Sequence, residues 1–236
     1  MRPILPLVLS LFLSFSCWNT LLTANAQILP DELQGPQCTE SQLVNGLCFT
    51  TDMPRSLGLA GSKAFQVRFG QTVAAAQQYL DTLTPSPQKV IITDLDETLL
   101  SNTAYYKTHE KWTLASWQEW IQQQESIPGP YNTGVRDLLQ TAKSRGFSVM
   151  FITGRPPVLA KDTLCQVRDI VWDGMYFKPA SKQVLAGTYK SAVRQFLRNL
   201  GYDIVLNIGD QPSDMDLPVE SDKGEFQLPN VIYSIP

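Results

Sequence analysis

The residues best suited to chemistry are two aspartates one residue apart, Asp94-Leu95-Asp96-Glu97-Thr98, directly after the largely apolar stretch Lys89-Val90-Ile91-Ile92-Thr93. Carboxylates this close repel, and both ionise comfortably only beside a cation or strong hydrogen-bond donors. A hard divalent ion is the natural partner, and Mg²⁺ suits carboxylates that also handle phosphate oxygens. In such a pair the first carboxylate can attack phosphorus. The second can protonate a departing alkoxide and later deprotonate water. Asp-x-Asp by itself also fits a solvated turn. The preceding strand and three further stretches favour a site.

The first of these is Thr153-Gly154-Arg155, where a hydroxyl and exposed amides at a strand-to-helix turn can hold a phosphoryl oxygen. An ordinary turn with Thr153 as helix cap has the same sequence. The second is Lys190, in Tyr189-Lys190-Ser191-x-x-Arg194 at a helix start, which can neutralise phosphate and nucleophile together. Lys178 and Lys182 compete for this role. Lys190 is preferred because its helix leads directly into the next strand. Arg194, one turn on, is either a surface charge or the partner of a carboxylate. The third is Gly209-Asp210-Gln211-Pro212-Ser213-Asp214-x-Asp216. Asp210, at a strand end, completes a metal shell; Asp214 holds a metal-bound water or Lys190; Asp216 is expected to be solvated.

The elements around these residues give an α/β pattern. A helix is predicted over Ser62 to Leu83, ending before Thr84-Pro85-Ser86-Pro87. Lys89 to Thr93 reads as a buried strand. Val135, Leu138, Leu139 and Ala142 recur at helical spacing, and Arg145-Gly146 closes that helix. Phe147 to Ile152 is the next strand. A helix over Val158 to Val167, a short strand near Met175 to Phe177, an amphipathic helix marked by Val193, Phe196, Leu197 and Leu200, and a strand from Asp203 to Ile208 follow. A last strand is expected over Val231 to Ser234. Strand–helix–strand order implies parallel pairing, with ligands beyond the carboxyl ends of the strands. Asp94, Asp96, Thr153 and Asp210 should therefore converge at one edge.

The chain has 236 residues, a net charge of −3 and 43% hydrophobic residues, which suits a soluble domain with a full core and argues against a nucleic-acid polymer as partner. Residues 1–26 read as a signal peptide: Arg2, an apolar stretch from Ile4 to Phe15, and Ala24-Asn25-Ala26 before a cut near Gln27. The apolar stretch is too short for a transmembrane span. A lipid anchor on Cys17 is disfavoured, because Ser14-Phe15-Ser16 lacks the usual leucine. The chain is thus expected to be exported, periplasmic or secreted. Cys38 and Cys48 either form a disulfide in that compartment or are reduced and buried. Cys165 reads as a core thiol on a helix. His109 is the single histidine, which excludes a multi-histidine metal site. Residues 27–60 read as an N-terminal extension that wraps a domain spanning 61–236.

Taken together, Asp94-x-Asp96-x-Thr98, Thr153, Lys190 and Gly209-Asp210-x-x-x-Asp214 resemble, in order, the four motifs of the haloacid dehalogenase superfamily. Asp94-Leu-Asp-Glu-Thr-Leu, Tyr189-Lys-Ser, Asn207-Ile-Gly-Asp-Gln and Phe226-Gln-Leu-Pro-Asn are similar to its acid phosphatase branch, which holds bacterial class C acid phosphatases and plant vegetative storage proteins. The resemblance covers roughly residues 60–236 and implies a Rossmann-like parallel sheet flanked by helices, a small helical cap at about 101–130, and Mg²⁺-dependent hydrolysis of phosphate monoesters such as nucleotides, sugar phosphates or aryl phosphates. It makes Asp94 the nucleophile and Asp96 the acid/base. Mg²⁺ would be bound by the Asp94 side chain, the Asp96 carbonyl and Asp210. Some storage proteins of this branch lack the first aspartate; this chain keeps it. The cap would select substrate. Tyr105 and Tyr106 are its pocket candidates, Leu114, Trp117 and Ile121 its buried stripe, and His109 is expected to play no catalytic part.

Overall fold

The structure is a computed structural model that describes residues 33–39, 42, 47–109, 111–123, 129–180, 184–216 and 224–235. The expected signal peptide, Cys17 and Lys182 lie outside these residues. Alternation of Val90 and Ile92 against Ile91 makes β2 (Lys89–Thr93) apolar on both faces, so it can only be central. It pairs in parallel with β3 (Ser148–Thr153) on one side and β5 (Asp203–Gly209) on the other. β4 (Gly174–Phe177) and β6 (Glu225–Gln227) complete a five-stranded parallel sheet in the order β4-β3-β2-β5-β6. The chain builds outward from β2 through β3 and β4, then returns to β5 on the other flank. The gap between the ends of β2 and β5 is therefore the point where strand order reverses, the place where open α/β sheets hold ligands.

Helices cover both faces. α2 (Lys63–Thr82) and α5 (Thr133–Arg145) pack on one side, where Leu80, Val135, Leu139 and Ala142 meet Ile91, Phe151, Leu206 and Ile208. α7 (Ala186–Asn199) covers the other, with Val193 and Leu197 against Val90, Ile92, Met150 and Ile152. α5 ends where Gly146 turns left-handed (φ 97°) and caps Ala142 and Lys143, as its sequence predicts.

A third apolar cluster joins residues 47–60 and 231–235 to the cap. β1 (Cys48–Phe49) runs antiparallel to β7 (Tyr233–Ser234), and α1 (Met53–Ala60) follows. Met53 and Tyr233 share a core with Tyr105 and Tyr106 of α3 (Thr103–Thr108) and with Trp117 and Ile121 of α4 (Leu114–Gln123). Phe49 stacks on Trp112, ring centres 5.0 Å apart. A Cys38–Cys48 disulfide ties the extension down.

Several expectations are corrected. The last strand is Tyr233–Ser234 rather than Val231 to Ser234, and it pairs with β1 instead of joining the main sheet, because Asn230 Oδ1 takes the amides of Ile232 and Tyr233 in a turn. The fifth strand, β6, carries no signal in the sequence, because three residues show no period. Leu114 is exposed, since it opens α4 rather than facing its buried side. Phe196 and Leu200 are exposed too, because α7 turns Lys190 and Arg194 inward beside Val193 and Leu197. Cys165, on α6 (Ala160–Gln166), is a half-buried free thiol rather than a core one.

Candidate active site

β2 delivers Asp94 at its carboxyl end, β5 delivers Asp210, and a 3-10 turn over Pro212–Asp214 brings Asp214 back over the end of β5. That return explains Gly209. A Cβ there would lie 2.2 Å from Asp214 Cβ, so only glycine lets Asp214 fold onto the strand. The Gln211 amide then binds Asp214 Oδ2 at 2.9 Å. Asp94, Asp210 and Asp214, all buried, place one carboxylate oxygen each within 4.8 Å of the others.

Lys190 rises from the first turns of α7, slightly further in than the helix start, and is 1% exposed. Its Nζ is 3.1 Å from Asp94 Oδ1 and donates a short hydrogen bond to Asp214 Oδ1. Burial alone would lower its pKa, but Asp214 and Asp94 outweigh burial and raise it, so the ammonium keeps its charge. Lys178 is half-buried after β4; its amide binds the Thr153 and Arg155 carbonyls.

The carboxylates are under tension. Burial, opposed by Lys190 and reinforced by Asp214, Asp210 and Asp96, pushes Asp94 well above the ordinary carboxylate range. Burial and Asp214 push Asp210 up to about 7, against hydrogen bonds from Asn230 and Gln211 and the charge of Lys190. Those bonds are both 2.6 Å to Oδ2, while Thr98 Oγ1 donates to Oδ1 at 3.0 Å. Asp94 Oδ1 is buried and, beyond its ion pair with Lys190, receives no well-formed hydrogen bond. An under-satisfied oxygen in a buried group of acids fits a bound cation: the carboxylate donors are hard, and the charge excess needs one.

Asp96 stands apart from this trio. Arg155 holds it with Nε 2.9 Å from Oδ2 and Nη2 2.6 Å from Oδ1, and Asn102 Nδ2 donates to Oδ1 at 2.9 Å. Arg155, 2% exposed, is itself held by Gln166 and Thr163 of α6 and lies 5.9 Å from the Trp117 ring centre. Thr153 is fully buried and its Oγ1 accepts the Arg155 amide at 3.2 Å; Gly154 beside it is exposed.

Sequence reasoning passed over Arg155, Asn102, Gln211 and Asn230 as site residues. Arg155 was legible in its motif; the others lie in stretches without periodicity. Asp216 corrects an expectation. It is not solvated but pairs with Arg194 at 3.1 Å and with Arg198, because α7 turns both arginines toward the loop. Arg194 also donates to the carbonyls of Asp214 and Met215 at 3.2 and 3.0 Å, clamping the loop that carries Asp214.

The two cap tyrosines part company. Tyr105 is fully buried, bonded through its hydroxyl to Ser116 and stacked on His109, whose Nδ1 lies 3.0 Å from the Tyr105 carbonyl. It thus offers no face to a ligand. Tyr106 reaches Glu97 with its hydroxyl and borders a cleft of about 470 Å³ lined also by Phe65, Phe69, Glu97, Asn230 and Ile232. Asp94, Lys190 and Asp210 do not line that cleft.

Residues 59–236 match the family described as HAD superfamily, subfamily IIIB (acid phosphatase). Vegetative storage protein 1 of Arabidopsis thaliana is 34% identical over 155 residues, 62% of this chain and 56% of that protein. Acid phosphatase 1 of Solanum lycopersicum is 32% identical over 154 residues, 62% and 59% respectively. The chain thus spans less than two thirds of the length of these relatives. The class C acid phosphatase structure from Bacillus anthracis shares the fold, with a TM-score of 0.64 at 18% identity over 77% of this chain and 85% of that one. With three quarters of its length matched to one family and that family's fold around its acidic centre, the chain belongs to the HAD superfamily, subfamily IIIB (acid phosphatase).

Proposed function

We propose that the protein is an exported, Mg²⁺-dependent phosphatase that hydrolyses small phosphate monoesters through an aspartyl phosphate on Asp94. The observation that carries this reading is the buried Asp94 carboxylate. It sits 3.1 Å from Lys190, among Asp210 and Asp214, with an oxygen left under-satisfied. Asp94, Asp210 and Asp214, with the Asp96 carbonyl, are the residues that would hold Mg²⁺. The ion, when bound, supplies a Lewis acid that offsets charge on the phosphoryl oxygens.

Asp94 attacks phosphorus in line, and the phosphorus–oxygen bond to the leaving group breaks as Asp96 hands the departing alkoxide its proton. Water then attacks the acyl phosphate and gives its proton to Asp96, releasing inorganic phosphate and restoring both aspartates. Lys190 and Thr153, with the Gly154 amide, hold the phosphoryl oxygens. Arg155 keeps Asp96 at the edge of the centre. Tyr106 is a candidate for contact with the leaving group; the packing of Tyr105 argues against the same role for it. Export is supported by the Cys38–Cys48 disulfide, which belongs to an oxidising compartment, and by the leader-like residues 1–26. Among the described residues no helix is long and apolar enough to cross a membrane.

The name of the Arabidopsis thaliana relative favours a second reading, a storage protein with vestigial chemistry. Turnover of p-nitrophenyl phosphate separates the two. The expected result is activity that a chelator abolishes and Mg²⁺ restores, and that falls at least about 10³-fold in Asp94→Asn. Absence of turnover with every divalent ion tried would favour storage.

A further inference from the structure

We propose that Glu97 is a positioning residue of this centre: it anchors Asn102 so that the Asn102 amide fixes the Asp96 carboxylate in the orientation its proton transfers require. The inference rests on the phosphomonoesterase reading and concerns a residue to which that reading gives no role.

Glu97 is the one non-glycine among the described residues with a left-handed backbone, φ 55°. Glycine, asparagine or aspartate would be at ease there; a glutamate keeps this conformation only where its surroundings hold it. The turn sends its side chain across to the start of α3. Oε1 accepts the Asn102 backbone N–H at 2.9 Å, and Oε2 accepts the Tyr106 hydroxyl at 3.3 Å. Both partners are buried and neutral, and among the described residues Glu97 forms no ion pair. Its contribution is therefore geometric rather than charge neutralisation.

Asn102 shows what that geometry achieves. It occupies the N-cap of α3, where an asparagine side chain ordinarily turns back to cap its own helix. Here it makes no such bond. Glu97 Oε1 accepts the Asn102 backbone N–H and so holds the main chain of this residue, while Asn102 Nδ2 donates to Asp96 Oδ1 at 2.9 Å. Asp96 is thus fixed from two sides, by Arg155 from the turn after β3 and by Asn102 from the start of α3. Losing Glu97 would leave the charge on Arg155 untouched while releasing Asn102.

The test uses the dependence on leaving group. p-Nitrophenolate departs without a proton, whereas the alkoxide of glycerol phosphate must be protonated by Asp96. A misplaced Asp96 therefore penalises the second ester selectively in kcat/KM, which reports the step that forms the phosphoenzyme. Glu97→Gly removes the carboxylate and suits the left-handed backbone. It should lower kcat/KM for glycerol phosphate about 10- to 100-fold and for p-nitrophenyl phosphate less than about threefold. Glu97→Gln keeps an acceptor for the Asn102 amide and should stay within about threefold of wild type on both esters. Asn102→Ala should reproduce the selective loss, and it decides the matter by the same ratio if Glu97→Gly does not fold. Equal loss on both esters, or loss on neither, overturns the proposal. A wild-type protein that hydrolyses neither ester overturns the phosphatase reading itself, and this inference with it.

Discussion

At the scale of the residue, the site is a set of carboxylates held against their own repulsion. Asp94 is pushed well up and Asp210 up to about 7, both chiefly by burial. A carboxyl whose folded pKa lies above its unfolded value binds its proton more tightly in the folded state. Its stabilising effect is complete below the unfolded value, near 4, and is lost as pH rises through the folded one. Cation-free protein should therefore lose stability between about pH 4 and pH 7, by an amount on the order of a few kcal/mol. A divalent ion takes the place of those protons and should reverse the loss. Calorimetry at pH 5 and pH 8, with chelator and then with Mg²⁺, checks this. The melting temperature should fall with pH under chelator and recover with Mg²⁺. A chelated protein equally stable at both values would contradict the assigned tension.

At the scale of the element, the strand ends and the turns after them do the positioning. The turn at Gly209 is the sharpest case, because Asp214 occupies the volume a side chain would need. Gly209→Ala should swing Asp214 off Lys190, lower turnover at least about 10²-fold and destabilise the fold by about 2 kcal/mol. Turnover and a thermal melt read both effects, and a variant indistinguishable from wild type would refute the packing argument. The same elements explain what was legible in sequence. β2, β3 and the second half of β5 are buried, and Asp94, Thr153 and Asp210 stand at or just after their carboxyl ends, so apolar runs marked the strands and the polar residues after them pointed to the candidate site. What escaped has equally physical causes. β6 is three residues long and carries no period. Asn230 acts from a turn, through a bond to Asp210 across 20 positions of sequence. α7 turns two charged residues inward, which inverts the apolar reading of its faces and leaves Phe196 and Leu200 outside.

At the scale of the whole molecule, one parallel sheet brings together residues from positions 94 to 230, and a second body of packing secures them from outside. The extension, the cap helices and the C-terminal segment share a core. The chain end reaches the site directly: Gln211 bonds Asp210 through Nε2, and its Oε1 accepts the Ile235 amide at 2.9 Å. On the reading proposed above, this assembly makes one carboxylate, Asp94, a nucleophile. The most direct measurement is to quench the Mg²⁺-loaded protein in acid during turnover of a phosphate ester and to locate the trapped phosphoryl group by peptide mass spectrometry. The account predicts phosphate on Asp94 and none in Asp94→Asn. Phosphate on another side chain, or full turnover by Asp94→Asn, would contradict it.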